Sequence, residues 1–376
     1  MSSRISRRRM MQAMGAATLA PSVIARGAAP RPQVPATTEA GWCPERPDMP
    51  KIGIEVPLHP DAAAMRRLKQ IGVDHVLTFA SSLPLKEDEL RSLRDTLQTG
   101  GLTLSHTLIG GFPNTLYGRP GRDEEIEKIR QSIRAAGRVG IPVVEYTFVA
   151  HRLVEGYYGT TGRGGGGYTG YDYERAKDLP PLPEEGVHTA DEMWNNVTYF
   201  LKAVVPVAEE SGVRLALHPN DPPPPLSRGS AQIFGTVEGW KRLIEIVPSK
   251  SNGIVYDCGV TREMGHDPVE VCRYFGSRDR ISHVHYRNVR VQKPYEEYTE
   301  VFIDEGQADM FRVMKELVRQ KYPRLVYPEH SRGLDVDRAL TLQNPYYPGG
   351  GGYVGYVFNV GYARAMLQAA LVTERS

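Results

Sequence analysis

Long hydrophobic runs are missing from this chain. No uninterrupted apolar stretch approaches the roughly 18 residues that a membrane-spanning helix requires. Cysteine is scarce: Cys43, Cys258 and Cys272 are too few and too scattered for a disulfide framework. Neither sign of charge dominates, since 46 Lys and Arg against 44 Asp and Glu leave a formal net charge of +2. That balance gives no electrostatic basis for a nucleic-acid partner. A Gly-rich phosphate turn is also lacking after the first strand candidate, where the chain reads EVPLHPD. This counts against a doubly wound dinucleotide-binding sheet.

What is present begins with arginine. Residues 6–25, SRRRMMQAMGAATLAPSVIA, carry an arginine cluster, a modestly apolar stretch and then small residues. The pattern is that of a twin-arginine export signal, with the pair drawn from Arg7, Arg8 and Arg9. It leads to the expectation that residues 1–29 are a removable signal and that the protein is exported, to the periplasm. Residues 30–50, rich in Pro, Ala and Thr, read as a surface arm, and residues 51–376 as a single catalytic domain.

From Lys51 onward short β-rich runs alternate with amphipathic helical stretches. The strand candidates are 51–57, 75–80, 102–108, 143–148, 214–219, 253–259, 281–288 and 324–330. Helical patterns fall at 123–140, 190–212 and 360–372; the second opens with a Thr189/Glu192 capping box and closes at Gly212. Strict alternation implies parallel strands with helical crossovers, and eight strands close a (β/α)8 barrel. Two Gly/Tyr-rich insertions, 157–186 after strand four and 344–356 after strand eight, lie where the active site of such a barrel is built. They read as mobile lid segments that offer tyrosines to a polar ligand, Tyr168 among them.

Strands five to eight each end in a residue able to ligate a metal: His218, Cys258, His285 and Glu329. Four consecutive strands delivering ligands to one rim suits a first-row divalent ion with positions left for substrate. Mn2+ is favoured, and Fe2+, Co2+ or Zn2+ fit the same donors. Some choices stay open. Asp257 adjoins Cys258 on the opposite face of the strand, and His283 shares a face with His285 but lies farther from the rim. Asp221, in the turn stiffened by four prolines, can bond a neighbouring histidine or the substrate, and Arg287 can clamp a substrate carboxylate.

At these residues the chain resembles the mannonate dehydratases, a family of xylose isomerase-like TIM barrels. The carrying segments are ADEMWNNVTYFLKAVVPVAEESGVRLALHPNDPP, HVHYRNV, FIDEGQADM and PEHSRG. The resemblance implies metal ligation by His218, Cys258, His285 and Glu329, although the family usually has aspartate at the last of these. It implies acid–base work for His330 and a catalytic tyrosine among Tyr346, Tyr347 and Tyr353. The expected activity is dehydration of D-mannonate or a related sugar acid to a 2-keto-3-deoxy acid. The competing expectations are a sugar isomerase, epimerase or keto-sugar lyase on the same barrel, and a non-catalytic carbohydrate-binding barrel. The expected partner is thus a small sugar acid, and an assembly of identical subunits is compatible with the sequence.

Overall fold

The computed structural model describes residues 44–79, 82–339 and 348–374. Eight parallel strands form a closed barrel: β1 (Lys51–Glu55), β2 (His75–Phe79), β3 (Thr103–Ile109), β4 (Val143–Thr147), β5 (Arg214–His218), β6 (Asn252–Asp257), β7 (Ile281–His285) and β8 (Leu325–Tyr327). Each strand pairs with its sequence neighbours, and β8 pairs with β1. Eight helices cover the outside: Ala62–Gln70, Glu87–Thr99, Arg122–Val139, Ala190–Glu210, Val237–Ile246, Pro268–Gly276, Met310–Arg319 and Tyr353–Thr373. The (β/α)8 expectation therefore holds, and the strand limits differ from it by only a few residues. No helix among the described residues is long and apolar enough to cross a membrane.

Local signals act as the sequence indicated. Thr189 accepts from the Glu192 amide while Glu192 accepts from the Thr189 amide, so two otherwise unpaired donors at the start of Ala190–Glu210 are satisfied together. The helix ends at Ser211, followed by Gly212 at φ +65°.

Alternate residues of the strands point inward and stack in layers. One inward cluster is apolar, formed by Val143, Ala216 and Val255. Beside them stand Glu145 of β4, His283 of β7 and His106 of β3, which are strand partners of Ala216, Val255 and Val143. Near the C-terminal rim, the register sets Asp257 of β6 level with His285 of β7. The ionisable groups of the interior thus extend toward the face where this fold builds active sites.

The Gly/Tyr insertion after β4 differs from the expected mobile segment. Residues 157–161 and 167–172 form strands that join 297–300 and 289–293, from the connection after β7, in a four-stranded antiparallel sheet. Tyr157, Tyr171 and Tyr298 pack together beneath it. The two glycine runs meet each other: a Cβ on Gly349 would lie 2.1 Å from the Tyr168 carbonyl oxygen, and Gly349 itself has φ +72°. Gly167 and Arg332 bridge to Gly333 and Gly350 respectively. These glycines allow backbones to touch, a packing role rather than the lid-like freedom read from the sequence.

Candidate metal and acid–base centre

The centre is built from neighbouring strand ends. Pairing of β6 with β7 puts Asp257 and His285 side by side, and parallel strands in register turn such partners to the same face. Asp257 therefore points into the barrel and Cys258 out of it. His285 Nδ1 lies 3.0 Å from Glu329 Oε1 and 3.6 Å from Asp257 Oδ2. The ligating atoms of these three residues lie within 4.8 Å of one another, and those of Glu145, His218 and His285 form an overlapping group. The His218 and His285 rings sit edge to face with centroids 5.1 Å apart.

The protonation pattern follows from the partners. His218 Nδ1 is 2.8 Å from the Pro219 carbonyl oxygen. A carbonyl only accepts, so Nδ1 carries the hydrogen and Nε2 presents its lone pair. Burial pushes the His218 pKa down, which keeps the ring neutral, as ligation demands. Burial also opposes ionisation of Glu329, but His285, His330 and Arg287 outweigh it and hold the carboxyl well below the usual range. Glu55, at the end of β1, is pushed well up by burial and by the Glu329 charge.

The residues fit a divalent ion on a structural observation. His285 Nδ1 and Glu329 Oε1 are buried, face each other, and make no hydrogen bond of good geometry. Unmet polar atoms in a water-free interior are costly. One imidazole and two carboxylates meet there, and His218 joins through the overlapping group with His285, a donor set that suits a borderline-hard cation. His218, Asp257, His285 and Glu329 would hold it, with Glu145 next to the histidines.

Cys258, the ligand expected from the strand end, lies outside these groups, and Asp257 takes the inward position beside His285. Cys258 starts the short helix Cys258–Glu263 and belongs to the apolar layer that also contains Tyr256, Cys272 and Tyr286. Burial pushes its thiol pKa up.

Arg287, the expected substrate clamp, is engaged by acids of its own chain. It is buried and enclosed by Asp257, Glu263, Asp221, Glu329 and Glu300, at 3.1, 2.8, 3.4, 3.2 and 3.8 Å. With so many acids of its own chain around it, the guanidinium organises the rim. Asp221 is likewise engaged, accepting from Tyr157 at 2.8 Å and from Arg152 at 3.0 Å. Those bonds tie the proline turn to the Gly/Tyr sheet. The expected bond from Asp221 to a histidine is replaced by these.

His330, the residue expected to do acid–base work, lies at the rim with Nε2 3.4 Å from Glu329 Oε2. Of the expected tyrosines, Tyr353 donates to the Arg67 carbonyl at 3.2 Å, on a helix outside the barrel, so its hydroxyl is turned away from the centre. Tyr168 packs on Phe302 and donates to Glu305 in the Gly/Tyr sheet, away from the strand-end cluster. Tyr346 and Tyr347 lie outside the described residues.

Reading strand ends alone missed several groups. Glu145 Oε2 stands 2.8 Å from His106 Nε2, which is out of line for a hydrogen bond, and accepts from His283 Nδ1 at 3.0 Å. This layer supports the ligands from below. Tyr327 meets His285 edge to face at 5.7 Å, and its hydroxyl contacts that of Tyr356 at 3.0 Å. The two-residue spacing of His283 and His285 was the available signal for inner layers.

Comparison with known proteins agrees with this geometry. Residues 184–374 match the family model of D-mannonate dehydratase (UxuA). The mannonate dehydratase of Thermotoga petrophila is 29% identical over 316 residues, covering 72% of this chain and 86% of that protein. That of Streptococcus pneumoniae is 28% identical over 347 residues, covering 82% and 92%. The crystal structure of mannonate dehydratase from Streptococcus suis serotype 2 superposes with a TM-score of 0.77 at 25% identity, covering 86% of this chain and 96% of that one. An L-ribulose 3-epimerase, with a TM-score of 0.55 at 16% identity, shares the barrel fold. Barrel, rim chemistry and family match converge: the chain belongs to the D-mannonate dehydratase family of hydro-lyases.

Proposed function

We propose that this protein is a divalent-metal-dependent dehydratase acting on D-mannonate or a closely related sugar acid, releasing water and a 2-keto-3-deoxy acid. The observation that carries the reading is the pair of overlapping groups, Asp257–His285–Glu329 and Glu145–His218–His285, that share His285 at the C-terminal rim, with His330 beside Glu329. Dehydration removes the proton on the carbon next to the carboxylate and expels the hydroxyl of the following carbon. The resulting enol takes its ketone form, so the balance is one water lost. When bound, a divalent ion supplies Lewis-acid stabilisation of the negative charge that develops beside the substrate carboxylate.

The chain's own residues do the rest. His330 Nε2 is one proton-transfer atom at the rim. With Tyr353 committed to Arg67, Tyr346 and Tyr347 are the candidates for its partner. The Arg287 net fixes Asp257 and Glu329 from behind, so that the ligands keep their positions as charge moves. We propose in addition that residues 1–29 direct export, on the strength of Arg7, Arg8 and Arg9.

The test is metal analysis of the purified protein, followed by incubation of metal-loaded and chelator-treated samples with D-mannonate and other aldonic acids. A 2-keto-3-deoxy product that depends on the ion is expected. Product formed equally well after complete metal removal would refute the metal-dependent reading.

A further inference from the structure

His330 has a feature that the dehydratase reading alone does not account for. Its backbone is in the left-handed region, φ +46°, which a residue with a side chain enters only at an energetic cost. The strain accompanies a specific aim of the ring. Nδ1 lies 3.0 Å from Glu300 Oε2, and Nε2 faces Glu329. Glu300 does not come from the barrel. It ends strand 297–300 of the Gly/Tyr sheet, opposite Thr169, and is almost fully buried. Arg332 clamps the arrangement, donating to Glu300 Oε2 at 3.0 Å, to Thr169 Oγ1 at 2.8 Å and to the His330 carbonyl at 2.8 Å.

From this geometry we infer that Glu300 is a positioning residue for His330, fixing which ring nitrogen carries the hydrogen and where the other one points. The inference rests on the proposed acid–base role of His330. Glu300 Oε2 already accepts from Arg332, so it meets His330 Nδ1 as an acceptor, and that nitrogen holds the hydrogen. The exchangeable site is then Nε2, the atom that faces Glu329 and the rim. Without Glu300 the ring would lose the contact that fixes the hydrogen on Nδ1 and holds Nε2 toward the rim. A carboxylate behind an imidazole plays this orienting part wherever a histidine must work in one tautomer. Here the sheet built from two insertions carries it, which gives that sheet a task at the reaction centre.

The experiment compares wild type, Glu300→Gln, Glu300→Asp, His330→Ala and the Glu300→Gln/His330→Ala double variant, each purified with its metal and assayed on D-mannonate. In Glu300→Gln, kcat should fall on the order of 10- to 100-fold, the usual effect of losing an orienting partner, while KM and metal content stay near wild type. Glu300→Asp keeps the charge and should recover part of the loss; it also serves if the glutamine variant folds poorly. The double variant should be no slower than His330→Ala, because the two residues act through one group. Nitrogen-15 spectra of the Zn2+-loaded protein, whose ion is diamagnetic, should show His330 protonated at Nδ1 in wild type and mixed in Glu300→Gln. An unchanged tautomer in Glu300→Gln, or losses that multiply in the double variant, would overturn the inference. If wild type dehydrates no aldonic acid, the function reading fails, and the spectra still decide whether Glu300 sets the ring.

Discussion

Exchanging the roles of two adjacent residues, Asp257 and Cys258, gives the sharpest test of the centre. Asp257 is fully buried. Its Oδ1 accepts from the Val260 amide at 2.8 Å, capping the short helix Cys258–Glu263. Its Oδ2 stands 3.1 Å from Arg287 Nε and 3.6 Å from His285 Nδ1. Asp257→Asn keeps the capping oxygen but replaces the ligating oxygen by an amide that faces a guanidinium donor. Removing one charged member of a buried set costs about 3–5 kcal/mol. At about 1.4 kcal/mol per tenfold, metal affinity should weaken on the order of 10²- to 10³-fold. Cys258→Ala removes one buried sulfur from the apolar layer, a loss of about 1–2 kcal/mol in fold stability, and leaves every ligating atom in place.

The two variants should therefore separate cleanly. Metal per chain after dialysis against buffered free Mn2+, measured with Tm on the same samples, reads both quantities. Asp257→Asn should lose its ion, and Cys258→Ala should keep it while melting a few degrees lower. Loss of the ion from Cys258→Ala with full occupancy in Asp257→Asn would show that the pleat of β6 has been assigned to the wrong face.

Four further outcomes are expected. Tyr353→Phe should leave kcat near wild type on D-mannonate, since the hydroxyl serves the Arg67 carbonyl; a fall of tenfold or more would place Tyr353 back in the reaction. Gly349→Ala should lower thermal stability by about 1–3 kcal/mol, because its Cβ meets the Tyr168 backbone at positive φ; an unchanged Tm with altered KM would restore the lid reading. Burial resists ionisation of Glu155, but hydrogen bonds from His151 and Arg228 take its pKa from 4.5 down to about 2. A depressed carboxylate contributes stability that is present above pH 4.5 and lost as the pH falls toward 2. Discounted for its partial exposure this is about 1 kcal/mol, and Glu155→Gln should flatten that part of the stability curve. Replacing Arg7, Arg8 and Arg9 together by lysine should retain precursor in the cytoplasm on cell fractionation, and unchanged secretion would remove the export proposal.

The barrel was legible because its signals are local. Apolar strands bounded by caps and glycines mark each unit, and the Thr189/Glu192 box sits in the structure where the sequence puts it. The meeting of His285 with Glu329 and with His218 was legible because strand ends in such a barrel share one rim. Asp257 was not separable from Cys258 by the same logic. Two consecutive residues at a strand end differ only in which face they take. That choice is set by pairing with β7, whose register shifts between Ile254 and Val255. A residue count along one strand does not see a shift in its neighbour. Glu145 and His106 were hidden differently: they lie inside strands, where a sequence shows polar residues without showing that three strands bring them to one level.

Glycine misled for a related reason. A run of four glycines is equally a flexible segment and a place where two backbones can touch, and only the second chain segment decides which. Gly349 lies against Tyr168, and Gly350 bridges to Arg332. The insertion after β4, the connection after β7 and the turn after β8 are thereby locked into one body. That body reaches the reaction centre at two points. Tyr157 holds Asp221 and through it the proline turn after His218, while Glu300 holds His330. A residue such as Glu300 has no motif of its own, since its use depends on a sheet assembled from segments more than a hundred residues apart. The proposed ligands are therefore fixed by the barrel, and the orientation of the proposed proton-transfer residue by the sheet laid across its rim.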